Sequence, residues 1–228
     1  MRVAVVIGST GLVGQFLVDE LAQDGTWGLV LSVQRKAHPW KNPKIRGIHF
    51  DYEKWGDLEL QIKSFAGTSA VDFFCCLGTT IRAAGSQENF KRVDFEYVFK
   101  FGELANACRA QQLLVVSAVG SSVDSSAFYS RVKGEMETSI EKIFHGTLHF
   151  SKPSLLLSHR SEFRFAERLA ILVSPLISWA LTGNLAKYRP ISAHIVAKSM
   201  ALVAAKKASA NKFIFGQDMQ EIIRRFQL

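Results

Sequence analysis

Apolar and polar positions along the chain alternate between two periods. RVAVVIG, from Arg2 to Gly8, is a continuous apolar run closed by glycine, the pattern of a strand buried on both faces. From Leu12 to Ala22 the apolar residues Val13, Phe16, Leu17 and Leu21 recur at helical spacing. LVLSVQ (29–34) predicts a second strand, IRGIHF (45–50) a third, a short helix follows from Leu58 to Phe65, and AVDFFCCLG (70–78) predicts the fourth strand. A long helix is expected from Glu88 to about Ala110, a fifth strand at LLVVSAVG (113–120), a helix carrying Tyr129 and Lys133, and a sixth strand at LHFSKPSLLL (148–157). Beyond Ser158 the pattern loosens. Helices are expected near Phe165–Leu181 and Ser192–Lys207, then a strand at KFIFG (212–216) and a closing helix at MQEIIRRF (219–226). Strands alternating with helices predict a parallel sheet covered on both faces, doubly wound.

The composition fits that plan. A chain of 228 residues, 48% hydrophobic and 21% charged, suffices for one sizeable α/β core. We read it as one domain over 1–228, with a core at 1–157 and a C-terminal, substrate- or partner-facing elaboration at 158–228. The net charge of +8 favours anionic ligands. Its cations are scattered (Arg35, Lys36, Lys41, Lys44, Arg46, then Lys206, Lys207, Arg224, Arg225), without a basic helix or arginine-rich tail, so no nucleic-acid partner is expected. Three cysteines give no disulfide framework: Cys75 and Cys76 are adjacent in a strand and point to opposite faces, and Cys108 falls in a helix. Reduced thiols lead us to expect a cytoplasmic setting. None of the six histidines has the spacing of a metal site. The N-terminal apolar run is too short for a signal peptide. LAILVSPLISWAL (169–181) is interrupted by Pro175 and gives no transmembrane segment; it is either buried or lies on a membrane or partner.

Candidate chemistry begins at GSTGLVG, which follows the first strand at once and opens the first helix. Gly8, Ser9, Thr10, Gly11, Leu12, Val13 and Gly14 form a G-x-x-G-x-x-G turn that lets backbone approach a pyrophosphate and seats it on the helix N-terminus. Dinucleotide binding is therefore expected, and with it a single-domain Rossmann fold with a small C-terminal helical elaboration. The end of the second strand selects the dinucleotide. Gln34 stands where a carboxylate would hold the ribose of NAD, and Arg35 and Lys36 follow it, so NADP(H) is preferred over NAD(H). Just past the third strand, Asp51 and Tyr52 either flank the adenine or, in the case of Asp51, cap the next helix.

With GSTGLVG, FFCCLGTT, KRVDFEYVFKFGELA, VVSAVGSS and FYSRVKGEME in that order, the chain resembles the short-chain dehydrogenase/reductase superfamily. Within it, the likeness is to the atypical branch typified by the oxidoreductase-like Tat-interacting protein, over roughly residues 1–165. The resemblance implies that Leu77, Gly78, Thr79 and Thr80 line the nicotinamide-side ribose and phosphates, and that Pro153 and Ser154 lie in a loop closing over the nicotinamide. Arg160, Glu162 and Arg164, beyond that loop, either shape the substrate mouth or form a structural ion-pair cluster.

Tyr129 and Lys133 are four residues apart, hence on one face of a helix. The phenol would give or take the substrate proton, and the ammonium would favour its phenolate and hold ribose hydroxyls. The superfamily usually adds a serine after the fifth strand; Ser117 is the nearest candidate, Ala118 falls where the resemblance implies the working serine of many relatives, and Ser121 and Ser122 lie further on. Asp94 either pairs with Lys133 or is a surface helix charge. Two functions follow: an NADP(H)-dependent oxidoreductase of a small carbonyl or alcohol substrate, or a non-catalytic NADP(H)-binding regulatory or redox-sensing protein acting through protein partners. Oligomeric state is open between monomer and homodimer.

Overall fold

The computed structural model describes residues 1–157, 187–206 and 211–226. The first buried run forms β1 (Arg2–Ile7), the glycine turn leads into α1 (Leu12–Gln23), and β2 (Trp27–Gln34), β3 (Ile45–His49), α2 (Trp55–Ala66) and β4 (Val71–Cys75) follow. After β5 (Gln112–Val116) come α6 (Phe128–Ile143) and β6 (Thr147–Lys152).

Between β4 and β5 a short α3 (Ile81–Ala84) comes first, and the expected long helix then runs without a break from 87 to 107 as α4 (Gln87–Lys91), a π-helical turn over Arg92–Glu96, and α5 (Tyr97–Ala107). Gly85 ends α3 in the left-handed region at φ 80°, and the Ser86 hydroxyl accepts from the Asn89 N–H to start α4. The sixth strand is also shorter than expected, ending at Lys152. Beyond it β7 (Leu156–Leu157) pairs in parallel with β8 (Ile191–Ser192) as a separate two-stranded sheet. α7 (Ala193–Lys206), β9 (Phe213–Phe215) and α8 (Gly216–Phe226) complete the described chain. The helix expected at Phe165–Leu181, the apolar stretch at 169–181, and Arg160, Glu162 and Arg164 lie outside the described residues.

The main sheet has seven parallel strands in the order β3-β2-β1-β4-β5-β6-β9. This is the doubly wound Rossmann order, with the reversal between β1 and β4 opening a crevice at the strands' carboxyl ends. Alternation along β1 builds two cores at once. Val3, Val5 and Ile7 pack with Leu58 and Ile62 of α2, Phe101 of α5 and Met136 and Ile140 of α6. Ala4 and Val6 pack with Leu17 and Leu21 of α1, Val196 and Met200 of α7 and Met219 and Ile222 of α8. The amphipathic pattern of MQEIIRRF is thereby spent on packing within the fold.

Candidate functional site

At the crevice, the glycine turn is shaped by contacts that exclude side chains. Gly8 lies at φ 71°, and a Cβ there would stand 2.6 Å from the Cys76 carbonyl. A Cβ on Gly14 would stand 2.2 Å from the Gly8 oxygen. The Gly11 N–H donates to that oxygen at 3.0 Å, which closes the turn. Ser9 faces inward: its buried hydroxyl donates to the Val33 carbonyl at 3.0 Å and accepts from Ser32 at 2.8 Å. It is a strut between turn and β2, and Val13 is packed into the core. Thr10 and Gly11 are exposed. α1 has no side-chain cap at Gly11 and no acidic residue in its first turn, leaving its amides and positive end to an anion. These residues fit a dinucleotide pyrophosphate. Gly14→Ala should push α1 off the turn and weaken uptake of a nicotinamide dinucleotide by roughly tenfold or more, measured by calorimetry.

At the end of β2 the Gln34 side chain is buried, its oxygen accepting from Ser32 and from Trp40 Nε1, both at 3.2 Å. Arg35 and Lys36 are exposed. Asp51 accepts the Glu53 N–H at 3.0 Å, an Asx turn; it does not cap α2, whose N-cap is Lys54. Tyr52, at φ 69°, stacks on Tyr97 with ring centres 4.5 Å apart. Burial pushes its phenol up to about 12 against the opposing pull of the Arg35 charge.

The end of β4 meets the π-helical turn and α6. Thr80 caps α3, accepting from Ala83 N–H at 3.1 Å, and the Thr79 N–H donates to Asp94 Oδ2 at 2.9 Å. Gly78 is exposed and Leu77 buried, so the four residues of this loop divide between surface and core. Asp94 Oδ1 stands 2.8 Å from Lys133 Nζ, and both side chains are enclosed, at 1% and 3% exposure. The pairing reading of Asp94 is the one the geometry adopts. Tyr129 lies one turn before Lys133, 39% exposed, its ring 5.5 Å from that of the buried Phe90. Contrary to the expectation of a phenol drawn down toward working pH, Tyr129 is held above its ordinary value: burial outweighs the lowering effect of Lys133, and Asp94 adds to the rise.

Ser117 is engaged elsewhere. Its hydroxyl donates to Glu137 Oε1, while Glu137 Oε2 accepts from Lys152 Nζ at 2.9 Å; all three residues are buried. Ser121 contacts Ser117 at 3.2 Å and donates to the Ala118 carbonyl at 2.6 Å. The loop carrying these serines lies on Gly134, where a Cβ would come 2.3 Å from Ser122 backbone. The buried Pro153 accepts from Val119 N–H at 2.9 Å through its carbonyl, and Ser154 donates to the Arg189 carbonyl. The sequence reading missed Glu137 and Lys152. Glu137 continues the Tyr129–Lys133 spacing by one more turn, a signal available in the sequence. Among the described residues no group of histidine, cysteine and carboxylate side chains could hold a metal ion.

A family model described as NAD dependent epimerase/dehydratase family matches residues 4–142. The chain belongs to that family. It is 32% identical over 165 residues to Protein HTATIP2 of Rattus norvegicus, covering 72% of this chain and 67% of that one. It is 31% identical over 163 residues to Protein FMP52-2, mitochondrial, of Scheffersomyces stipitis, covering 71% and 69%. HTATIP2 and FMP52 represent the Tat-interacting-protein-like branch named above. The oxidoreductase ylbE of Lactococcus lactis superposes with TM-score 0.67 at 15% identity, covering 99% of this chain and 97% of that one. MoeE5 in complex with UDP-glucuronic acid and NAD superposes with TM-score 0.66 at 15% identity, covering 93% and 74%. These likenesses bear out the Rossmann fold, and the family description carries a nicotinamide cofactor with it. The cytoplasmic expectation is corrected: FMP52 relatives from several yeasts are named mitochondrial and point to that compartment instead. Reduced thiols do not separate the two, since disulfides persist only in oxidising compartments. Among the described residues no helix is long and apolar enough to cross a membrane.

Proposed function

We propose that the protein is an NADP(H)-dependent oxidoreductase that moves a hydride to or from a small carbonyl or alcohol substrate. The observation that carries this reading is the line Tyr129–Lys133–Asp94, joined through Thr79 to the β4 loop that borders Gly8 of the glycine turn. When bound, the nicotinamide supplies the hydride. The turn from Gly8 to Gly14 holds the pyrophosphate on the α1 amides, with Ser9 and Val13 bracing it from inside. Leu77 to Thr80 border the nearer ribose, and Pro153 and Ser154 bound the nicotinamide side. Arg35 offers a fork of donors to a 2′-phosphate and Lys36 adds charge, while the inward Gln34 leaves no carboxylate to repel that phosphate. Tyr129, protonated at neutral pH, holds the proton that a substrate oxygen takes up; Lys133 steadies the phenolate left behind.

One observation favours a second reading. The Ser117 hydroxyl donates into Glu137 and Ala118 has none, so neither residue offers a donor to polarise a carbonyl. A protein of this kind could bind NADP(H) and signal its state to protein partners without turnover. The test has two arms. Calorimetry should give NADPH tighter than NADH, with Arg35→Ala lowering NADPH affinity by about 10- to 100-fold and leaving NADH unchanged. Equal uptake of both, indifferent to Arg35, overturns the phosphate preference. A carbonyl panel followed by NADPH absorbance then separates the readings: turnover supports the enzyme, and tight binding without any turnover supports the sensor.

A further inference from the structure

We infer that Trp40 is a positioning residue for cofactor choice: its indole N–H holds the Gln34 side chain inward and ties down the loop that carries Arg35 and Lys36, so that a 2′-phosphate meets cations already in place. This role deepens the NADP(H) reading above and rests on it.

The chain leaves the sheet at Gln34 and returns to it at Ile45. Arg35, Lys36, Ala37 and Pro39 are exposed. Among the described residues, the backbone hydrogen bond of this stretch is internal, from the Trp40 N–H to the His38 carbonyl at 2.9 Å. What joins the stretch to the body is Trp40. Its ring packs against the core shared by β1, α1 and α7, and meets the His38 ring with centres 4.1 Å apart. Its Nε1 donates to Gln34 Oε1 at 3.2 Å. The Ser32 hydroxyl has one proton for two acceptors, Gln34 Oε1 at 3.2 Å and Ser9 Oγ at 2.8 Å. The shorter contact takes it, so the orientation of Gln34 depends on the indole. On its other side Gln34 Nε2 lies against β3 at Gly47, where a Cβ would stand 2.6 Å from it.

A guanidinium on an untethered loop must be ordered when it meets a phosphate, and ordering a flexible segment subtracts from affinity. Here the loop is closed at both ends on one residue, through the backbone of Gln34 and, by way of the indole, through its side chain. The same bond decides what stands at the end of β2. Turned outward, the Gln34 amide would offer hydrogen bonds to ribose hydroxyls and crowd a 2′-phosphate. Held inward, it leaves that phosphate to Arg35 and Lys36. NADH carries no 2′-phosphate and makes no use of those cations. Loss of the indole bond therefore falls on NADPH and not on NADH, which separates positioning from general support of the fold.

Trp40→Phe keeps a ring on His38 and removes the N–H. Calorimetry should give NADPH binding about 3- to 10-fold weaker than in wild type, the worth of one hydrogen bond, with NADH binding no weaker. Gly47→Ala reaches the same bond from β3, displacing the Gln34 amide without touching the loop, and should lower the preference for NADPH in the same direction. In the Arg35→Ala background, Trp40→Phe should cost NADPH affinity less than about twofold, because it acts mainly through Arg35. Equal weakening of both nucleotides, or a preference that Trp40→Phe leaves unchanged, overturns the inference while the NADP(H) reading stands. Equal uptake of NADPH and NADH by the wild type sinks both. Should Trp40→Phe fail to fold, Gly47→Ala, alone and combined with Arg35→Ala, carries the same measurement with the same outcomes.

Discussion

Tyr129→Phe is expected to lower turnover of any accepted carbonyl by about 10²- to 10⁴-fold, the usual contribution of a positioned general acid, and to leave NADPH affinity and melting temperature unchanged. The reason is geometric. The ring packs 5.5 Å from Phe90, itself 5.8 Å from Phe128, and phenylalanine preserves those contacts. What is lost is one hydroxyl on a residue 39% exposed, so no fully enclosed polar group is left stranded. Because the proton moves only as the transition state forms, the loss should fall on kcat and kcat/KM together and spare KM. The pH profile gives a second check with a definite sign. The acid form of the phenol is the working form in reduction, and its pKa lies above the ordinary 10.0. Reduction limited by this proton should therefore be flat through neutrality and fall only on the alkaline side, above about pH 10. A rate that falls already through neutral pH would assign the proton to another group.

Much of this site is written in local spacing, which is why the sequence discloses it. Gly8, Gly11 and Gly14 are three apart because a tight turn and the first turn of a helix demand backbone without side chains at those points. Tyr129 and Lys133 are four apart because one helical face must carry both. The strand order follows from alternating elements and the handedness of crossovers. Less legible is anything decided by partners distant in the chain. Phe90, Val98, Phe101 and Leu104 suit a regular helix as well as one widened at Arg92–Glu96, so the π-helical turn that aims Asp94 left no signature in the hydrophobic pattern. The orientation of Ser117 depends on Glu137, twenty residues on, and that of Glu137 on Lys152 in the next strand. Gln34 stood in the right place but turned inward for Trp40, a contact that only the β2–β3 loop could supply. Asp51, open between ligand and cap, went to a turn of its own.

Lys152→Met should be strongly destabilising. Lys152 and Glu137 are both enclosed, their charges 2.9 Å apart, and Lys152 Nζ also lies 4.8 Å from the ring centre of Phe213 on β9. Methionine retains most of the stem but strands the Glu137 carboxylate, with the Ser117 hydroxyl its remaining partner among the described residues. Removing one partner of a buried pair costs about 3–5 kcal/mol, because the other charge is left without compensation. For a chain of this size, that is a fall in melting temperature of roughly 6–20 °C, read by calorimetry or circular dichroism. The double variant Glu137→Gln/Lys152→Met should recover more than half of the loss, since the amide oxygen still accepts from Ser117 and no charge remains to be paired. The link to function runs through α6. Glu137 anchors the same helix face that presents Tyr129 and Lys133, and Ser117 ties it to the end of β5. The single variant should therefore lose carbonyl turnover below its melting temperature while the α1 turn still takes up NADPH, and the double variant should regain turnover with its stability. Stability lost without recovery in the double variant would show that the Lys152 stem packed on Phe213, rather than its charge, holds α6 against the sheet.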